Sequence, residues 1–428
     1  MTPTATPGAR PRLAAWMLYN FGDTAFVVVV ITFVWGLYFK RVVVGGPSGD
    51  LLWGLCGAAS TLLVAAAAPL LGAAADLGNL KHRFLVIFSL GAIVLGASPA
   101  TVGPGMVVWG MVLFVAANSA FQTAGVFYHA YLPELAATPY LSRVSGYGWA
   151  VGYAGAIVTV LAVSPLISGG FAPSNLPLVR LAFPLQGLIF LIFALPAFML
   201  LREPARTTSP GTAGLLSMGG KRLRATWQGM RQLSELTRFL AAFVLYNDGL
   251  NTVLYFSMIY AADTLGFTLA QIIPLYLLVQ TTGIVGAVVF GWLGDRTGIQ
   301  RALCLCLVLW LGVLGAAWLV TTKGAFYAVA AAAGMLIGST QSLSRAMMAT
   351  LTPEGRTAEF FSFYGVSGRV SAAAGPLLFG VVSYATGSQR TALLTIAVFF
   401  GAGLYILCGV NGERALAQRL AGAAGKGY

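Results

Sequence analysis

The sequence predicts an all-α polytopic membrane protein, with about twelve transmembrane helices in two pseudo-symmetric six-helix bundles. Three observations carry that prediction. Of the 428 residues, 58% are hydrophobic and only 9% charged, where a soluble domain carries about 25% charged residues. Apolar runs long enough to cross a ~30 Å hydrocarbon core, about 20 residues each, recur from one end of the chain to the other. Landmarks also recur in the same order in each half: Tyr19-Asn20 and Tyr246-Asn247, Gly72-x-x-x-Asp76 and Gly291-x-x-x-Asp295, then Pro133-Glu134 and Pro353-Glu354.

Residues 1–12 are rich in Pro, Thr and Ala and read as a cytoplasmic tail. Helices are expected near 13–39, 50–75, 84–103, 104–131, 141–167 and 178–201, a first bundle covering 13–201. The first run is too long for a cleavable signal, and no Ala-x-Ala site follows it. The second bundle, 237–411, has its helices near 237–263, 268–293, 300–321, 324–351, 358–386 and 389–411, and a second cytoplasmic tail follows at 412–428. Between the bundles lies a basic cytoplasmic linker, 202–236. Its TTSPGTAGLLSMGG stretch has the composition of a flexible tether. The KRLRATWQGMRQLSEL stretch puts Leu223, Trp227, Met230 and Leu233 on one helical face, suited to the membrane interface.

The net charge of +13 has a membrane explanation that needs no nucleic-acid partner. Arg10, Arg12, Lys81, Arg83, Arg143, Arg202, Lys221, Arg296, Arg301, Arg356 and Arg414 fall on one side of the expected helices. Lys40, Arg41, Arg180, Lys323 and Arg390 fall on the other. The positive-inside rule then sets both termini in the cytoplasm. Cys56, Cys304, Cys306 and Cys408 all fall within expected helices, with no metal or redox spacing, and there are two histidines. No metal and no cofactor are expected. The chain has no Gly-x-x-x-x-Gly-Lys-Ser/Thr motif for ATP, and no nucleophile–base pair that would mark an enzyme.

The polar residues inside the apolar runs carry the functional signal. Asp23 lies ten residues into the first run, roughly 15 Å deep at ~1.5 Å per residue. Keeping an ionisable group there costs roughly 2.5–3.5 kcal/mol on insertion scales, which marks a pathway or binding site. Asn20 and Thr24 share its helical face. Asn247, Asp248 and Asn251 occupy a comparable position in the seventh run, and Asp23 and Asp248 are the candidates for proton coupling, Asp23 first. If the Tyr-Asn pairs are superposed, Asp23 falls opposite Leu250, so the two acids are not repeat equivalents. Gly146-x-Gly148-x-x-x-Gly152-x-x-Gly155 permits close helix approach, and Gly375-Pro376 is expected to bend the eleventh helix.

GWLGDRTGIQR at 291–301 closely resembles the signature between the second and third helices of each half in the major facilitator superfamily. GAAADLGNLKHR at 72–83 is a weaker copy that lacks the Arg after Asp76. The resemblance implies the major facilitator fold and a gating role for Gly72, Asp76, Gly291, Asp295, Arg296 and Arg301, whose charge links break as the halves rock. LYNFGDTAF at 18–26, YLPELAATPYLSRVSGYGWAVGYAGA at 131–156 and TPEGRTAEFFSFYGVSGR at 352–369 resemble, more narrowly, the vacuole-effluxer branch, whose bacterial members were grouped as the "unknown major facilitator" family. Its founding fungal members are associated with release of amino acids from the vacuole.

In that superfamily the first, fourth, seventh and tenth helices line the cavity between the halves. The substrate-binding candidates are therefore Asn20, Asp23, Gln122, Asn247, Asp248, Asn251, Gln341 and Arg345, together with Arg369 on the eleventh helix and Trp149 on the fifth. Two acids and two arginines suit a zwitterion, because an arginine fork clasps a carboxylate while an acid meets the ammonium. The competing assignment has Arg345 and Arg369 form structural pairs with Glu359 or other carboxylates near the cytoplasmic rim. The expected activity is secondary active transport of a small polar or zwitterionic solute, amino acids favoured, coupled to protons and working by alternating access. Its partners would be the solute, protons and the lipid bilayer, with the protein a monomer in a bacterial inner membrane. Efflux of hydrophobic or lipid-like compounds, and a non-transporting sensor or scaffold, are the alternatives.

Overall fold

The computed structural model describes residues 9–46, 48–201, 233–267, 269–371 and 374–411. Leu223, Trp227 and Met230 of the expected linker helix lie outside these residues. The described elements are all helical. α1 (Ala9–Phe26) continues through a π-helical stretch, Val27–Phe33, then α2 (Trp35–Tyr38) and a second π-helical stretch, Phe39–Val44. The first widening begins at four successive valines, whose branched Cβ atoms crowd an α-helical turn. There follow α3 (Gly49–Gly78), α4 (Lys81–Ala97), α5 (Val107–Ala130), α6 (Leu132–Leu135), α7 (Leu141–Ile167) and α8 (Leu176–Leu200). The later part contains α9 (Ser234–Leu265), α10 (Leu269–Thr297), α11 (Ile299–Leu319), α12 (Lys323–Leu351), α13 (Thr357–Val370), α14 (Ala374–Thr386) and α15 (Gln389–Cys408).

Among the described residues, ten helical stretches are long and apolar enough to cross a membrane. α9 and the pair α13–α14 bring the set to the expected twelve. The eleventh helix departs from its expected form. Its described residues form two helices, α13 ending at Val370 with Ser371 in a turn, and α14 running from Ala374. Pro376 then sits in the first turn of α14, where its missing N–H costs nothing; inside a continuous helix it would remove a backbone bond.

Contacts group the chain into two compact units, one of residues 2–131 with 151–221 and one of residues 132–150 with 222–428. In the first, α1 packs on α8, α4 packs on α5 and α8, and α3 packs on α5. In the second, α9 packs on α15, α11 on α12 and α15, and α10 on α12. These are the same four pairings, one repeat later. The internal repeat read from the landmarks is thus a repeat of packing. The surface is inverted relative to a soluble protein. Leu62 and Val398 are about 70% exposed, while Glu359 is fully buried and paired with Arg356, as expected where lipid is the solvent and polar groups must be satisfied internally.

Candidate functional site

In the unit containing α1, a buried aromatic column fixes which face of that helix turns inward. Tyr128 of α5 stacks on Trp16 and on Tyr19, with ring centroids 4.9 Å apart in each case. The Trp16 indole N–H donates to the Tyr128 carbonyl at 3.0 Å, and the Tyr19 hydroxyl shares a 2.7 Å hydrogen bond with Ser89 of α4. Beside this column Asn20 and Asp23 are half-buried, as is Gln122 on α5. Thr24 lies within bonding distance of the Asn20 carbonyl, 2.5 Å, and of the Gly152 carbonyl on α7, 3.0 Å. At Gly155 a Cβ would run into the Phe21 carbonyl, so only glycine lets α7 approach α1 this closely.

In the other unit, Tyr246 repeats the role of Tyr19, its hydroxyl bonded to Ser344 of α12 at 2.8 Å. The next two residues reach the two parts of the eleventh helix. The Asn247 amide donates to the Ser371 hydroxyl at 2.6 Å and the Gly368 carbonyl at 3.2 Å, at the end of α13. The Asp248 carboxylate accepts from the Gly375 N–H at 2.9 Å, at the start of α14. A donor meets the carbonyl end and an anion meets the amide end, which is the polarity that two helix termini require. Asn251 is half-buried one turn further on, and Arg369 is half-buried in the last turn of α13, where a cation suits the carbonyl end.

Arg345, 1% exposed on α12, reaches Ser145 of α7. Its Nε donates to the Ser145 hydroxyl at 2.9 Å and its Nη2 to the Ser145 carbonyl at 2.7 Å. The Ser145 hydroxyl in turn donates to the Ser342 carbonyl at 2.7 Å. The guanidinium also lies 5.5 Å from the Trp149 ring centre, so two of the expected site residues meet here. Gln341, one turn before Arg345, is half-buried. Glu359 takes a two-point pair with Arg356, at 3.0 and 2.7 Å. Ser145 and Ser371 were not singled out from the sequence. Their neighbours in the glycine run and the Gly-Pro pair were the only local signal.

The GWLGDRTGIQR stretch ends α10 and holds the start of α7. Asp295 accepts from the Arg143 backbone N–H at 3.1 Å and pairs with its side chain at 3.1 Å. A carboxylate at the first turn of a helix satisfies orphan N–H groups and the positive end of the dipole together. A Cβ at Gly146 would strike the Ala287 carbonyl, and Gly291 faces the Ser142 carbonyl. Arg296 lies over Trp292, 3.4 Å from the ring centre. Each motif copy is followed, three residues past its Asp, by a residue of positive φ, Asn79 at +55° and Gly298 at +95°, although their ψ angles differ, 44° and 137°. Gly72 is buried and Asp76 half-buried. Lys81, 2% exposed, puts its ammonium 4.4 Å from the Tyr131 ring centre, and Arg301 is exposed in the first turn of α11.

A family model described as "Vacuole effluxer Atg22 like" matches residues 54–420. The chain belongs to the vacuole effluxer Atg22-like family. A Bacillus subtilis relative named as an uncharacterized MFS-type transporter, YxiO, is 26% identical over 407 residues, spanning 93% of this chain and 94% of that protein. Autophagy-related protein 22 of Yarrowia lipolytica is 26% identical over 437 residues, 81% of this chain and 73% of its own. Among solved structures, the human organic anion transporter MFSD10 superposes with a TM-score of 0.72 at 16% identity, covering 94% of this chain and all of that one. FucP, a major facilitator transporter in the outward conformation, gives 0.70 at 14% identity, with 94% and 98% coverage. This member of the Atg22-like family therefore has the major facilitator fold, and it is an integral membrane transporter of that superfamily.

Proposed function

We propose that this protein is a proton-coupled secondary transporter of a small polar or zwitterionic solute, with amino acids the favoured class, working by alternating access. One observation carries the reading. Asn20, Asp23, Gln122, Asn247, Asn251 and Gln341 lie within membrane helices and keep part of their surface accessible, while the outward apolar side chains form a lipid-type exterior. Ionisable and amide groups at membrane depth are costly unless they serve a pathway. Arg369 offers the fork for a carboxylate, and the Asn247 and Asn251 amides of the same unit offer carbonyl acceptors for an ammonium. The vacuole-effluxer description of the family supports solute movement across a membrane.

The test is a thermal-shift screen of the purified protein against amino acids, peptides, nucleosides, sugars and organic acids at two pH values. Binding to the folded state raises the melting temperature by mass action. Stabilisation by amino acids that is lost in Arg369→Ala, followed by flux of the same compound in proteoliposomes, is the expected result. Silence from every polar class, with a response to lipids or apolar drugs, would replace this reading with hydrophobic efflux.

A further inference from the structure

α11 and α15 lie against each other in a fixed antiparallel register. The Gln300 amide donates to the Leu407 carbonyl at 2.9 Å, and further along Trp310 stacks on Phe400 with centroids 5.1 Å apart and 13° between planes. One turn after Gln300, the Cys304 sulfur lies 3.7 Å from that of Cys408, the last residue of α15, across 104 residues of sequence. The chain just past Cys408 is held as well. The Gly409 carbonyl accepts from Arg238 at 2.6 Å and the Asn411 N–H donates to Glu235 at 2.7 Å. Cys408 is exposed and Cys304 half-buried, while Cys56 and Cys306 are buried. An accessible thiol beside a second, sheltered one is the arrangement of an oxidisable cysteine and its resolving partner.

We propose that Cys304 and Cys408 form an oxidation-sensitive dithiol that hydroperoxides close to a disulfide. The Cys408 thiolate attacks a peroxide oxygen, the O–O bond breaks, and with hydrogen peroxide one water leaves as Cys408 becomes a sulfenic acid. The Cys304 thiol then attacks the sulfenic sulfur, the S–S bond forms, and the hydroxyl departs as a second water. The two thiols together lose two electrons and two protons, and the peroxide is reduced to water. Closure requires the sulfurs to approach from 3.7 Å to about 2.05 Å, within a pair of helices already held in register. The bond staples the start of α11 to the end of α15, and thiol reductants reverse it. Intracellular disulfides are generally transient and redox-sensing, so the reduced and oxidised forms are two states of one device.

The experiment treats the full-length purified protein with hydrogen peroxide, then counts thiols under denaturing conditions and maps peptides without reduction. The count is expected to fall from four to two, with a Cys304–Cys408 linked peptide that dithiothreitol releases and a higher melting temperature. Cys306→Ser should behave like the parent, with the same link. Cys304→Ser should leave Cys408 as a sulfenic acid that dimedone traps. Cys304 and Cys408 both left as thiols, Cys408 oxidised without a link in the parent, or a link only between chains would each overturn the proposal.

Discussion

Arg345 is a buried cation that depends on its surroundings for acceptors. Burying a cation costs several kcal/mol unless acceptors surround it, and this one has the Ser145 carbonyl and hydroxyl with the Trp149 face nearby. Two of those contacts use separate nitrogens of a planar fork, a geometry lysine lacks. Arg345→Lys is therefore expected to lower unfolding stability by about 1–3 kcal/mol, the cost of leaving a buried polar group unsatisfied, read as a drop in melting temperature. Asp23 belongs to the other kind of residue, half-buried and beside a rigid aromatic column. Asp23→Asn should abolish accumulation driven by a pH gradient while solute exchange continues. Unchanged gradient-driven uptake would remove the coupling role. Both residues were visible in the sequence as polar groups in apolar runs. Their partners were not: Ser145 lies 200 residues from Arg345, and no local pattern encodes a contact across that separation.

At the scale of the element, the two-part eleventh helix shows most clearly where sequence reasoning stops. Helix positions were legible because hydropathy and helix length are local properties; the predicted span 141–167 coincides with α7. The Gly375-Pro376 pair announced a disturbance. What it could not announce was the end of α13 at Val370, because that is stabilised from α9 by Asn247, while Asp248 holds the Gly375 N–H. Asp248→Ala should weaken the start of α14 by about 1 kcal/mol, the usual cost of losing a helix cap. Hydrogen exchange would then quicken at residues 374–378 and not in α9. The glycine face of α7 gives a second test. Gly155→Leu forces the Phe21 carbonyl and α1 apart, and overpacking of this kind costs about 1–3 kcal/mol. The melting temperature should fall, with Gly125→Leu on α5, where an added Cβ meets nothing within 4 Å, as the comparison.

For the whole molecule, the two sets of six helices share their internal pairings, and the basic residues gather on alternate connections. A green fluorescent protein fused after Tyr428 should fluoresce in bacterial cells, and alkaline phosphatase joined after Lys323 should be active. The opposite pair of results would reverse the proposed orientation. The apolar character of the helices is uneven, and that has a consequence for how the protein is made. α9 carries Asp248, whose carboxylate bonds to a backbone N–H 127 residues later on α14, and α13 carries Glu359 and Arg369. A translocon sorting segments one at a time by hydrophobicity would tend to leave both in water. Asp248 must wait for α14 to arrive with the Gly375 N–H that it accepts from. A nascent chain cut after α9 should therefore fail to integrate that helix, and one extended through α15 should integrate it fully. Biogenesis of the later bundle becomes a collective event, completed only when its last helices have been made.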